Sequence, residues 1–218
     1  MMKKLSVYLL AFLLLFCVSS LAHAEEAAPE QGFTFRDGIT WSSTPAEVIA
    51  GMGDVPVTNE DASSLIGVSK FLWAENVPVS TIEAGDINFF FYEDQLFMIG
   101  YGFYNAETKS DDFATIKEAL TIKYGEPTTS AANKADSAKT FISITGDRYA
   151  AQVKLYDYTC WTLADTRIYI ANIDDSTFLV CYENLPLIET RAADLEAASA
   201  EKEAAEKAAS DAAKTFGL

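Results

Sequence analysis

The chain has 218 residues, of which 16 are basic and 32 acidic, giving a formal charge of −16 with a single histidine and three cysteines. Such a balance speaks against nucleic acid and against an anionic membrane surface as partners, since both reward Lys and Arg. It favours solubility, with a solvated acidic surface as the plain reading and a basic partner as the other.

Lys3 and Lys4, the apolar run Leu5–Val18 and the small-x-small site Ala22-His23-Ala24 read as a secretion signal over residues 1–24, cut before Glu25. The run is short for a membrane span, and a retained anchor is the alternative. Cys17 follows Phe16, where a lipid-acceptor site needs a small residue, and it is read as part of the signal. Cleavage removes Lys3 and Lys4 and no acid, so the charge of −16 becomes −18. It also removes His23, which excludes Ser–His and Cys–His catalysis and His-ligated zinc. The expected location is the periplasm or the extracellular medium, and no cofactor is expected.

Residues 25–32 form a polar, Ala-rich flexible leader. Phe33–Trp41 supplies the first apolar anchors. Thr44-Pro45-Ala46-Glu47 has the parts of a helix start: a capping hydroxyl, a proline at the first helical position and a capping-box glutamate. Gly51 or Gly53 ends that helix, with Pro56 beyond it. Two strands are predicted near Val68–Ala74 and Val79–Glu83, with a turn at Gly85-Asp86.

Ile87–Tyr104 then reads as a β-hairpin around Glu93-Asp94-Gln95. Pairing Tyr92 with Leu96 across a three-residue loop puts Ile87, Phe89, Phe91, Phe97, Ile99, Tyr101 and Phe103 on one face that must be covered. The other face carries Phe90, Tyr92, Met98 and Tyr104, with Gly100 and Gly102 leaving bare backbone between them. Those six residues are the candidate binding site if that face is open, and core if a second layer or the terminal helix covers it.

A second helix is expected from Ser110 or Asp111 to Gly125, with Phe113, Ile116, Leu120 and Tyr124 at helical spacing and Pro127 after it. Thr128–Lys139 reads as a loop. Strands are expected at Thr140–Ile144 and Tyr149–Tyr158, separated by Gly146-Asp147. A last hairpin pairs Thr166–Ala171 with Thr177–Tyr182. Cys160 and Cys181, an even pair in an exported chain, read as one disulfide, with two buried thiols as the alternative. Arg191–Lys214 is Ala, Glu, Lys and Asp almost throughout and reads as a long exposed helix. Its Ala pairs offer little area to bury, so deletion after Asn184 is expected to leave stability unchanged, and a coiled-coil contact is its functional reading.

No catalytic or metal motif stands out. Asp111-Asp112 sits at a helix start and Asp174-Asp175 in a turn, where carboxylates satisfy local N–H groups. The chain therefore divides into a first helix-plus-meander unit (33–105), a second (106–184) and a C-terminal helix (185–218), an α+β tandem repeat with helices on one face of an antiparallel sheet.

The stretches Ile39-Thr40-Trp41, Pro45–Ile49, Gly53, Pro56, Ile87–Tyr104, Lys123–Pro127, Trp161 and Thr166–Ile168 together resemble the β-lactamase inhibitor protein fold and the small envelope lipoproteins of the BamE (SmpA/OmlA) type. The resemblance implies helices on one sheet face, a second face that meets an unknown protein partner, and binding without catalysis. A lipid-acceptor cysteine is not apparent, the terminal helix is extra, and no residue known to block a β-lactamase is matched. The other expectations are a carboxylate-dependent hydrolase of cell-wall material and an envelope assembly protein acting through the terminal helix.

Overall fold

The computed structural model describes residues 33–145 and 155–215. The expected signal, its cleavage site, the leader and the Gly146-Asp147 turn lie outside the described residues.

The fold is α+β, built in the order 3-10 turn (Arg36–Gly38), α1 (Pro45–Gly51), β1 (Thr58–Glu60), β2 (Lys70–Val79), β3 (Ile82–Tyr92), β4 (Gln95–Phe103), α2 (Lys109–Tyr124), α3 (Ala131–Thr145), β5 (Tyr156–Thr162), β6 (Thr166–Asn172), β7 (Phe178–Asn184) and α4 (Leu185–Thr215). The seven strands form one antiparallel sheet in the order β1-β2-β3-β4-β7-β6-β5. Two consecutive meanders, β2–β3–β4 and β5–β6–β7, thus join through their last strands, with Gly100 opposite Cys181.

The helix starts follow local chemistry. Thr44 and Glu47 make the full capping box, Glu47 accepting from the Thr44 N–H at 2.8 Å and donating its own N–H to Thr44 Oγ1 at 3.3 Å. α2 ends at Gly125, whose φ of +81° suits a residue without a Cβ.

The hairpin differs from expectation by one residue. Glu93 and Asp94 both have positive φ (48° and 62°), which makes a two-residue turn with Tyr92 opposite Gln95. The displaced residue is absorbed as a bulge, where Phe91 faces Leu96 but Phe90 faces Met98. Leu96 therefore joins Phe91 in one core cluster, while Phe97, expected there, packs with Met98 on the opposite side. β2 also runs on as one strand to Val79, where the sequence predicts one strand ending near Ala74 and a second beginning at Val79. β1 pairs only with Phe71–Trp73, so Pro78 lies on an open edge where its missing N–H costs no ladder bond. The turn comes at Ser80, with φ 59°, and Gly85-Asp86 lies inside β3.

One sheet face meets Phe33, Phe35, Trp41, Val48 and Met52 from the N-terminal segment and α1, and Ile116 and Leu120 from α2. Phe89, Phe91, Ile99, Ile168, Ile170 and Val180 form its floor.

The other face is not bare, so helices lie on both sides of the sheet rather than on one. The expected loop and strand over 128–144 are instead α3, a polar-looking helix whose inward residues are Ser137, Thr140 and Ile144. Ser130 opens it by accepting from Asn133 N at 3.0 Å. The alternation in Thr140–Ile144 that reads as a strand is overridden by helical spacing across the whole stretch, because Ala and Ser can pack closely on a sheet. Below α3 lie Phe97, Met98, Tyr158, Cys160, Tyr169 and Cys181.

Cys160 and Cys181 are free and buried, not bridged. Cys160 sits opposite Tyr169 on β6, and Tyr169 sits opposite Cys181 on β7. A whole strand separates them, which puts their backbones about 9–10 Å apart, beyond disulfide reach.

α4 is long, as expected, but it is not free along its length. Leu187, Ile188 and Leu195 are partly buried and Arg191 is 1% exposed, whereas every described residue from Glu196 to Asp211 is exposed. Arg191 donates to Gly67 O (2.8 Å), Ile66 O (2.5 Å), Ser143 O (2.9 Å) and Ser143 Oγ (2.8 Å), and its guanidinium lies over the Phe97 ring. One side chain thus ties α4 to the end of α3 and to the loop before β2.

Candidate binding pocket

α3 covers the second face incompletely. Between it, the 60–65 segment and the sheet lies a pocket of about 280 Å³. Strand register builds its floor. Glu60, Phe71, Phe90 and Met98 form one cross-strand row, each directly opposite the next. Asn88, Gly100 and Cys181 form the neighbouring row, and Asp86, Gly102 and Leu179 the one after it. Leu65, Phe141 and Ile144 close the top, and Glu60, Asp61 and Asp86 bring carboxylates to the lining.

Four of the six residues expected to form a binding site line this pocket: Phe90, Met98, Gly100 and Tyr104. Phe90 is half-buried and stacks on Phe71 with ring centroids 5.1 Å apart. Met98 is buried. A Cβ on Gly100 would meet only Cys181 Sγ, at 3.7 Å, so the absent side chain is what leaves the floor low. Gly102 is a different case. A Cβ there would stand 2.2 Å from Tyr104 Oη, because the Tyr104 ring folds back across Gly102 and Gly85. The bare backbone at Gly102 is taken by the chain's own ring.

That ring sets the electrostatics of one end. Tyr104 Oη donates to Asp86 Oδ2 at 2.6 Å, and Asn88 Nδ2 donates to Asp86 Oδ1 at 2.8 Å. Partial burial and the bond to Asp86 push the Tyr104 hydroxyl well above its ordinary value, so it stays a donor. Tyr104 is nonetheless 53% exposed and forms a wall open to solvent. Tyr92 does not reach the pocket. Its hydroxyl donates to Asp194 on α4 at 2.7 Å, a bond that pushes its pKa up to about 12.

Phe71, Phe141, Leu65, Leu179 and the three carboxylates went unrecognised as lining. Alternation along β2 places Phe71 opposite Phe90, so the pattern held that information once the register was known. Phe141 and Ile144 depended on recognising α3.

A second polar cluster lies toward β5. Arg167 Nε donates to Glu183 Oε2 at 2.5 Å, and Glu183 is fully buried. Burial pushes the Glu183 carboxyl up to about 7 in spite of Arg167. Tyr158 and Ser137 share a hydrogen bond of 2.9 Å beside it. Asp112 and Asp174 serve locally, accepting from Thr108 and from Ser176. Among the described residues no group of three or more His, Cys, Asp or Glu could hold a metal ion, and no helix is long and apolar enough to cross a membrane. Comparison with family models, with curated proteins and with solved structures found no match.

Proposed function

We propose that this chain is a non-enzymatic binding module of the envelope or the extracellular medium, and that the pocket on the second sheet face receives an apolar side chain of a protein partner. The observation that carries the reading is the low floor at Gly100, walled by Phe71, Phe90, Phe141 and Tyr104. A concave site of this size, aromatic and fixed by the sheet beneath it, is the geometry in which a single buried anchor contributes most of the energy of an interface. The placement outside the cytoplasm rests on the sequence of residues 1–24. Gly100→Leu tests the site, since Gly100 lines the pocket and a Cβ there would meet only Cys181 Sγ, with no backbone within 4 Å. A protein captured from envelope extract by the wild-type chain and lost with Gly100→Leu, at an unchanged melting temperature, is the expected result. Equal capture by both chains removes the reading.

A second reading has one observation in its favour: α4 runs on for about 30 Å beyond Leu195 with every described residue to Asp211 exposed. It is an arm for assembly through a coiled-coil contact. Sedimentation of the full chain against a chain ending at Leu195 distinguishes the two, a higher mass for the full chain alone supporting the arm.

A further inference from the structure

We infer that the pocket is selective for a basic segment, in which an apolar or aromatic residue enters over Gly100 and an adjacent lysine or arginine lies against Asp86 or against Glu60 and Asp61. The inference rests on the reading of the pocket as a protein-binding site.

Three observations support it. The carboxylates flank the apolar floor at two ends: Glu60 closes the outer end of the row Phe71–Phe90–Met98, and Asp86 lies on β3 four residues from Phe90, about 13 Å along the strand. A residue seated on the floor therefore has an acid within reach of its neighbour on either side. Next, Asp86 is held by neutral donors only, Tyr104 and Asn88, and among the described residues no ion pair engages Asp86, Glu60 or Asp61. Hydrogen bonding fixes the Asp86 carboxylate in place without cancelling its charge, which leaves that charge for a ligand. The lining, finally, includes the aromatic side chains of Phe71, Phe90, Phe141 and Tyr104, and aromatic rings attract ammonium and guanidinium groups.

The charge of the whole chain acts in the same direction. At −16 it repels an acidic segment, and it speeds the approach of a basic one. The acids thus set selectivity, and the floor holds the anchor.

A random heptapeptide library displayed on phage, selected on the immobilised full chain, tests this. Enriched peptides are re-measured as synthetic peptides against Gly100→Leu and against the triple variant Glu60→Gln, Asp61→Asn, Asp86→Asn, whose amides keep the shapes of the carboxylates. The expected result is enrichment of an apolar residue beside Lys or Arg, loss of binding with Gly100→Leu, and binding weakened about tenfold by the triple variant and by raised salt. Peptides that depend on Gly100 but bind the triple variant equally, with no excess of Lys or Arg, overturn the selectivity and leave the binding pocket standing. If no enriched peptide depends on Gly100, both fall. Melting temperatures matched to the wild type show that either loss of binding is local.

Discussion

The two faces of the sheet are closed by different chemistry. On the first, aromatic and aliphatic side chains from the N-terminal segment, α1 and α2 meet an apolar floor, and rings pack on rings, as Phe33 does on Trp41 at 4.2 Å. On the second, the cover is a helix of Ala, Ser and Thr, and its closure depends on polar groups: Arg191 on three carbonyl oxygens, Ser137 on Tyr158, and Asp136 paired with Arg167 at 3.9 Å. An apolar layer closes by volume and leaves little room. A small-residue layer held by directed bonds closes only where those bonds are, and the gap beside them is the pocket.

This contrast can be broken first at its apolar side. Phe91→Ala removes a ring that is fully buried in the first face, and the expected loss of stability is about 4 kcal/mol in denaturant unfolding. A loss under about 1 kcal/mol would show that the first face is no tighter than the second.

The polar side can be broken at Arg191. Arg191→Met keeps the length of the stem but leaves the carbonyls of Ile66, Gly67 and Ser143 without that donor, at an expected cost of about 3 kcal/mol. Deletion after Asn184 should cost at least as much, against the expectation from composition alone. Deletion after Leu195 removes exposed helix and should change stability by less than about 0.5 kcal/mol. Equal melting temperatures for the two deletions would mean that α4 does not dock.

The comparison can also be sharpened through pH. Glu183 has a folded pKa near 7 against an ordinary 4.5, so between those values the native state binds its proton more tightly than the unfolded chain does. Stability from this group is fully present below pH 4.5 and is lost as pH rises through 7, by about 3 kcal/mol in all. Urea unfolding from pH 5 to 8 should show that decline, and Glu183→Gln should flatten it. A profile unchanged by Glu183→Gln would show that Arg167 holds the carboxylate ionised throughout.

What the sequence made legible follows the same division. The α1 capping box, the α2 stripe ending at Gly125, the strands of the hairpins and the burial of Phe89 and Phe91 follow from periodicity, because the first face is built of residues whose burial is obligatory. α3 was hidden because Ser137 and Thr140 carry no apolar signal, and their burial depends on what Tyr158 and the sheet offer them. The bulge that exchanged Leu96 and Phe97 was hidden because a two-residue and a three-residue turn suit Glu93-Asp94-Gln95 alike until the left-handed backbone of Asp94 is seen. Four of the six candidate residues line the pocket, but the pocket itself was not visible, since its roof is a helix that reads as a loop and a strand.

If the chain is exported, as proposed above, Tyr169 has a consequence for how it reaches this structure in an oxidising medium. In the folded protein it holds Cys160 and Cys181 a strand apart with both buried, and burial also pushes the Cys181 thiol up to about 12. In the unfolded chain nothing separates them, and a loop of about 20 residues closes readily. A bridge made at that stage would bar β6 from its position between β5 and β7. In such a medium folding and oxidation compete for the same two sulfurs, and β6 has to be seated before the oxidant arrives.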